Sequence, residues 1–241
     1  MRLSTNILTS STKGAQIFIS MSILFSLYGI FYYGLTLSAI QTTLIGYFLY
    51  GCLGIVISYH RYLTHKSFQT FPILIKFFAL LGCFAGTGSP LAWIAIHINH
   101  HLKSDKPSDP HSPLYKGLKI FLLDYAEEVE KDTKWRMRHL ITDPYYQFLH
   151  RFYFLILLVY SVILFYIGGL WLVIFLHLLP ASITAIMSNI VNYVGHKPNW
   201  IDGEACPDKI EFPDQSSPKV RTNDYGYCRD QEYYDYFLDY E

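Results

Sequence analysis

Two long stretches of this chain carry no charge. Between Lys13 and Arg61 there is no Asp, Glu, Lys or Arg, and between Arg151 and Lys197 there is none either. Each stretch is about twice the roughly 20 residues needed to cross a hydrocarbon core. Each is therefore expected to form two membrane helices joined by a tight turn. The first turn falls near Tyr32–Gln41 and the second near Tyr166–Trp171. Two very long buried helices of a soluble protein are disfavoured, because globular helices average only about 11–12 residues. The first apolar run is too long for a cleaved signal peptide and continues into a second span.

Charge distribution adds an orientation. All nineteen Lys and Arg lie in the N-terminal, central and C-terminal segments, and neither expected turn carries one. The positive-inside rule then places those three segments in the cytoplasm. The expected fold is all-α and integral to the membrane, with four transmembrane helices arranged as two hairpins under a cytosolic histidine-rich cap. The spans fall at about residues 15–36, 40–59, 152–167 and 170–192, and the cap at about 60–151. Residues 1–199 read as one membrane and catalytic domain, and 200–241 as an acidic, tyrosine-rich tail. Net charge is zero, so no basic face argues for nucleic acid. The four cysteines form no CxxC and read as reduced thiols, not as a disulfide framework or a zinc site.

The stretch Phe77–Ile96 is also free of charge, but it contains Gly82, Gly86, Gly88 and Pro90, which break a helix interior. If it crossed the membrane, His60 and His97 would lie on opposite sides. It is expected to be a broken, re-entrant or interfacial element, which membranes allow where protein covers the backbone.

Histidines gather at the ends of the apolar segments. "HRYLTH" supplies His60 and His65, "HINHH" supplies His97, His100 and His101, and "NYVGH" supplies Asn192 and His196. On a helix His97, His100 and His101 share one face, as do Asn192 and His196. His60 and His65 are five apart and converge only if the helix end bends between them. Six imidazoles at one depth point to a metal site, and neutral imidazole suits iron, copper, zinc or nickel. Of the other histidines, His139 and His150 read as surface or interface residues, and His177 as a packed or hydrogen-bonded group inside the fourth apolar segment.

These motifs, with "GTGSPLAWIAIHINHH" and "SDKPSDPHSP", resemble the histidine boxes of the membrane fatty acid desaturases. Order and spacing are most similar to the acyl-CoA or acyl-lipid Δ9 type, over about Gly51 to His196. The DPHSP stretch argues against the related sterol and alkane hydroxylases. The resemblance implies two irons at the cytosolic membrane surface, dioxygen as oxidant, and a cis double bond placed in a long acyl chain. It implies an electron-transfer protein as external electron donor. It also implies an acyl substrate carried by coenzyme A, acyl carrier protein or lipid. His60, His65, His97, His100, His101 and His196 match iron ligands, and Asn192 matches a ligand acting through water. Asp105 and Asp109 match positions that orient ligand histidines, although both also suit turn or capping acids. Trp93, Thr87 and Ser188 match the acyl channel, and Trp93 equally suits an interfacial aromatic.

The resemblance also implies a later HxxHH box, yet no histidine follows His196. Thr87 and Ile98 stand where relatives usually carry glutamine and arginine. Three readings stay open at this point. One is a working desaturase, another is a truncated or inactive protein of that fold with a defective iron site, and the third is a non-catalytic lipid-binding membrane protein.

Overall fold

The computed structural model describes residues 5–103 and 131–195, with Asp109, Ser112, Tyr115 and Gly117 between them. Every regular element among the described residues is helical. Helix α1 spans Thr5–Tyr33, and α2 runs over Leu37–Thr64. Between them Gly34 takes a left-handed φ of 75°, and the Thr36 side chain caps α2 by accepting from the Ala39 amide at 3.2 Å. The first part of α2 (Leu37–Tyr47) is regular, and its continuation (Phe48–Thr64) is wound wide as a π-helix.

Two short helices follow. Helix α3 is Pro72–Phe84 and α4 is Pro90–Leu102. The expected break in Phe77–Ile96 lies between them, where Gly86 and Gly88 take positive φ. Helix α3 packs along the wide part of α2. A Cβ on Gly54 would sit 2.4 Å from the Gly82 backbone nitrogen, so the two backbones approach this closely only because residue 54 is glycine; a Cβ on Gly82 would instead meet the Tyr59 ring. Three short helices come next: α5 (Lys131–Arg136), α6 (Arg138–Thr142) and α7 (Pro144–Arg151).

The last apolar stretch, Tyr153–Val194, is 42 residues long, about twice what one crossing needs. It doubles back at Gly168–Gly169. Gly169 has φ 64° and ψ −163°, a conformation reserved essentially for glycine. The fold-back brings Ser161 within 3.0 Å of the His177 Nδ1, a contact impossible along one straight helix. We label Tyr153–Val173, which contains the fold-back, α8 and Leu179–Gly195 α9; the π-wound segment Ile174–Leu178 continues the returning arm between them.

Three helical stretches are long and apolar enough to cross a membrane: Lys13–Tyr33, Leu37–Thr64 and Tyr153–Val194. Their outer faces are greasy, with Phe31, Tyr166 and Ile167 largely exposed. Exposed apolar area on this scale marks a surface that meets lipid. The chain is an integral membrane protein. Its interior lies between α2, α3, α4 and the start of α8, around the fully buried Tyr59, Leu91, Ile94 and Tyr153.

Candidate metal centre

Helix α4 carries the densest part of the site, and its start is fixed from outside. Ser89 caps it by accepting from the Ala92 amide, and Pro90 occupies its first turn. The Ser89 hydroxyl also pairs with His150 Nδ1 at 2.5 Å, and the Gly88 amide donates to the Tyr153 hydroxyl at 3.0 Å. His150 is buried at the interface with α4, the second of the two places the sequence left open, and anchors that helix. His139 is exposed, as expected.

One turn after another, α4 presents His97, His100 and His101 to the end of α2. The His65 Nε2 lies 3.1 Å from that of His60 and 3.2 Å from that of His97. The His101 Nε2 lies 3.0 Å from that of His97. His60, His65 and His97 place their ligand nitrogens within 4.8 Å of one another. A run of hydrogen bonds fits these contacts poorly. Each Nε2 carries either one proton or one lone pair, and His65 and His97 would each have to share theirs between two partners. A cation among the nitrogens uses all the lone pairs. Ligand bonds of about 2.1 Å place neighbouring nitrogens about 3.0–3.4 Å apart at octahedral to tetrahedral angles. The described donor set suits an imidazole-bound metal ion, and nitrogen donors favour a transition metal over magnesium or calcium.

The surroundings keep these rings in the ligating form. Burial, followed by the nearby His101, His60, His65 and His100, holds His97 well below the ordinary histidine range. Neutral His97 is what a metal requires. The Trp93 indole stacks on His97, with centroids 4.8 Å apart. His100 Nδ1 donates to the Asp109 Oδ1 at 2.7 Å, with both side chains almost fully buried. This bond turns the His100 Nε2 away from the carboxylate and fixes the ring, in the way outer partners orient metal ligands.

Beside the cluster lies a cavity of about 310 Å³. Its lining includes His60, Thr87, Trp93, His97, Ser188 and Asn192. Helix α9 reaches it through Thr184, Ser188 and Asn192, spaced by four along one face. Thus Asn192, Thr87, Trp93 and Ser188 share one space with two of the histidines. Asp105 and His196 lie outside the described residues. Sequence reasoning missed Tyr47, Gly51 and Thr184 in this lining, although Tyr47–Gly51–Ile55 and Thr184–Ser188–Asn192 are legible as fourfold rows. His177 is fully buried against Tyr160 and Tyr50.

A helical membrane protein with a buried imidazole cluster facing an apolar cavity is the class these features define. The sequence model of the family described as fatty acid desaturase matches residues 34–222. The chain belongs to the fatty acid desaturase family. It is 36% identical over 135 residues to the sn-1 stearoyl-lipid 9-desaturase of Anabaena variabilis, covering 55% of this chain and 49% of that protein. It is 37% identical over 142 residues to the Delta-9 acyl-lipid desaturase 1 of Arabidopsis thaliana, covering 57% and 46%. With the Acyl-CoA C20 Delta5-desaturase of Anemone leveillei it shares 32% identity over 155 residues, covering 63% and 50%. The chain spans about half the length of these relatives.

Proposed function

We propose that the chain serves an oxygen-dependent desaturase that places a cis double bond, of the Δ9 kind, in a long-chain acyl group. The observation that carries this is the convergence of His60, His65, His97 and His101 beside an apolar cavity that His60 and His97 themselves line. Two irons, when bound, would supply dioxygen activation and removal of two hydrogens from the acyl chain. His60, His65, His97, His100, His101 and His196 are proposed as ligands from this chain, with Asn192 acting through water. Asp109 holds His100, and Asp105 is proposed in a similar part beside it. Trp93, Thr87 and Ser188 line the acyl cavity. The cavity walls exclude water and hold the chain against the cluster. Electrons come from a separate electron-transfer protein. The acyl group arrives on a lipid, coenzyme A or acyl carrier protein, and the names of the relatives favour a lipid.

The same reading includes four spans and a cytoplasmic cap at about 60–151, with both ends of residues 1–199 on the cap side and 200–241 as a tail. The fold-backs at Gly34 and Gly168–Gly169 and the lack of Lys or Arg near either support it. The test uses the 241-residue chain alone and the same chain joined to a relative's HxxHH segment. Metal analysis and gas chromatography of acyl products from cells lacking their own desaturase are the readouts. We expect fewer than two irons and little product from the first, and two irons with unsaturated product from the second. An extended chain that holds two irons and makes no unsaturated product overturns the reading.

A further inference from the structure

The cavity beside the histidines is closed at one end and open at the other. Two of its walls, α2 and α9, meet on the side away from the histidines. There a Cβ on the buried Gly46 would lie 2.6 Å from the Leu176 carbonyl oxygen and equally close to the Pro180 ring. Beyond that contact Ala39, Ile174 and Phe175 are fully buried. On its near side Tyr47, Gly51 and Thr184 line the end of the cavity. A Cβ on Gly51 would stand 3.0 Å from the Thr184 Oγ1 and 3.2 Å from the Tyr47 ring, so the missing side chain keeps room at this end.

Toward the histidines the same cavity is open to the outside. Val56, Met187 and Val191 belong to its lining and are 48%, 44% and 57% exposed. Among the described residues the lining holds no Lys or Arg, so no cation within it fixes the head of an acyl group. A long apolar chain entering this space is stopped at the far end. The Thr184 hydroxyl there is turned onto the Pro180 carbonyl, to which it donates at 2.8 Å, and calls for no polar ligand.

Resting on the reading of this cavity as the acyl site, we infer that a bound acyl chain is registered by its methyl end, which stops against Tyr47, Gly51 and Thr184. The carbon presented to the histidines is then counted from the methyl end. In carboxyl numbering it moves whenever the chain length changes. Nine residues separate Gly51 from His60. That is about 13 Å at a regular rise of about 1.5 Å per residue. An extended chain advances about 1.2 Å per bond, since three backbone bonds span about 3.3–3.6 Å, so the methyl end sits roughly nine or ten carbons from the cluster. A stop at the head would instead present the same numbered carbon in every chain.

The test uses the full chain with Trp135, Trp171 and Trp200 replaced by phenylalanine, so that Trp93 reports alone. Trp93 lines the cavity and stacks on His97. Its fluorescence is titrated in detergent micelles, without added metal. The probes are hexadecanoic and octadecanoic acids carrying a bromine pair on the seventh and eighth or on the ninth and tenth carbons, because bromine quenches an indole at contact. Saturable quenching should be strongest for the ninth–tenth pair in the longer acid and for the seventh–eighth pair in the shorter one, a shift of two carbons in carboxyl numbering. The same pair dominating in both acids would overturn the inference and leave the acyl reading intact. Gly51→Ala raises the end wall by about one carbon and should move the strongest quenching in the longer acid toward an eleventh–twelfth pair. Tyr47→Leu lowers the wall and should move it toward the seventh–eighth pair. Quenching that stays in place in both variants would also overturn the inference. No saturable quenching by any probe would remove the acyl reading itself, and the inference with it.

Discussion

The end of α2 and the helix α4 deliver imidazoles to the same point by different windings. In α4 the winding is regular, and a spacing of three and four residues is enough to align His97, His100 and His101. In α2 the two histidines are five apart, a spacing that an ordinary helix sends to different faces. The wide winding of Phe48–Thr64 corrects this. Its hydrogen bonds run between residues five apart, and the His65 amide bonds to the His60 carbonyl at 3.0 Å. Thr64 reinforces it, donating its hydroxyl to the Tyr59 carbonyl at 2.7 Å. The two rings then stand 4.3 Å apart between centroids. Metal-site geometry therefore depends on backbone winding as much as on spacing in sequence, and π-wound turns are frequent at functional sites.

The sharpest way to break the comparison is to change the register of α4. One alanine inserted between Ile98 and Asn99 turns His97 by about 100° relative to His100 and His101. It should abolish metal retention, a larger loss than the roughly 10–100-fold typical of supporting residues. Metal content of the purified protein checks it, and retention of normal metal would mean that α4 does not set the cluster.

A milder change keeps both windings and loosens one ring. Asp109→Asn leaves His100 in place and replaces its charged acceptor with a neutral amide. Metal affinity should fall about 10–100-fold. Competition with a chelator measures it. A fall as large as that of the insertion would show that Asp109 shapes the whole cap.

The smallest effect concerns the anchor that only α4 has. Burial pushes His150 down from the usual 6.5 to about 4. Above pH 6.5 the ring is neutral in both folded and unfolded chains. As pH falls from about 6.5 toward 4 the unfolded chain takes up the proton first, so stability drops through that window and levels off below it. Thermal melts in detergent at pH 7, 5.5 and 4 should show this drop. In His150→Asn the drop should shrink to the share of the other buried imidazoles. An unchanged drop would detach His150 from the stability of the α4 anchor.

Much of the fold was legible because lipid imposes a simple rule. Backbone polar groups with no water to meet must be satisfied within the helix, so long uncharged stretches announce themselves as helices. The break in Phe77–Ile96 was legible from its glycines and proline, since those residues remove or weaken helical hydrogen bonds. The grouping of His97, His100 and His101 was legible from periodicity alone. Whether His150 lay at the surface or at an interface was not legible, because its partner, Ser89, lies in a turn far away in sequence and no local pattern pairs them.

By itself the sequence determined an all-helical membrane chain, the helix bearing three aligned imidazoles, and the boxes that resemble the desaturases. These follow from short-range rules of charge, helical period and motif. Tertiary structure alone decided that α2 widens to align His60 with His65, that His150 and Tyr153 hold the start of α4, and that Thr184, Ser188 and Asn192 face the same cavity as Trp93. Each of these depends on side chains from separate helices meeting at packing distance. Such meetings are set by the close approach of backbones, as at Gly54 and Gly82, which a linear sequence does not display.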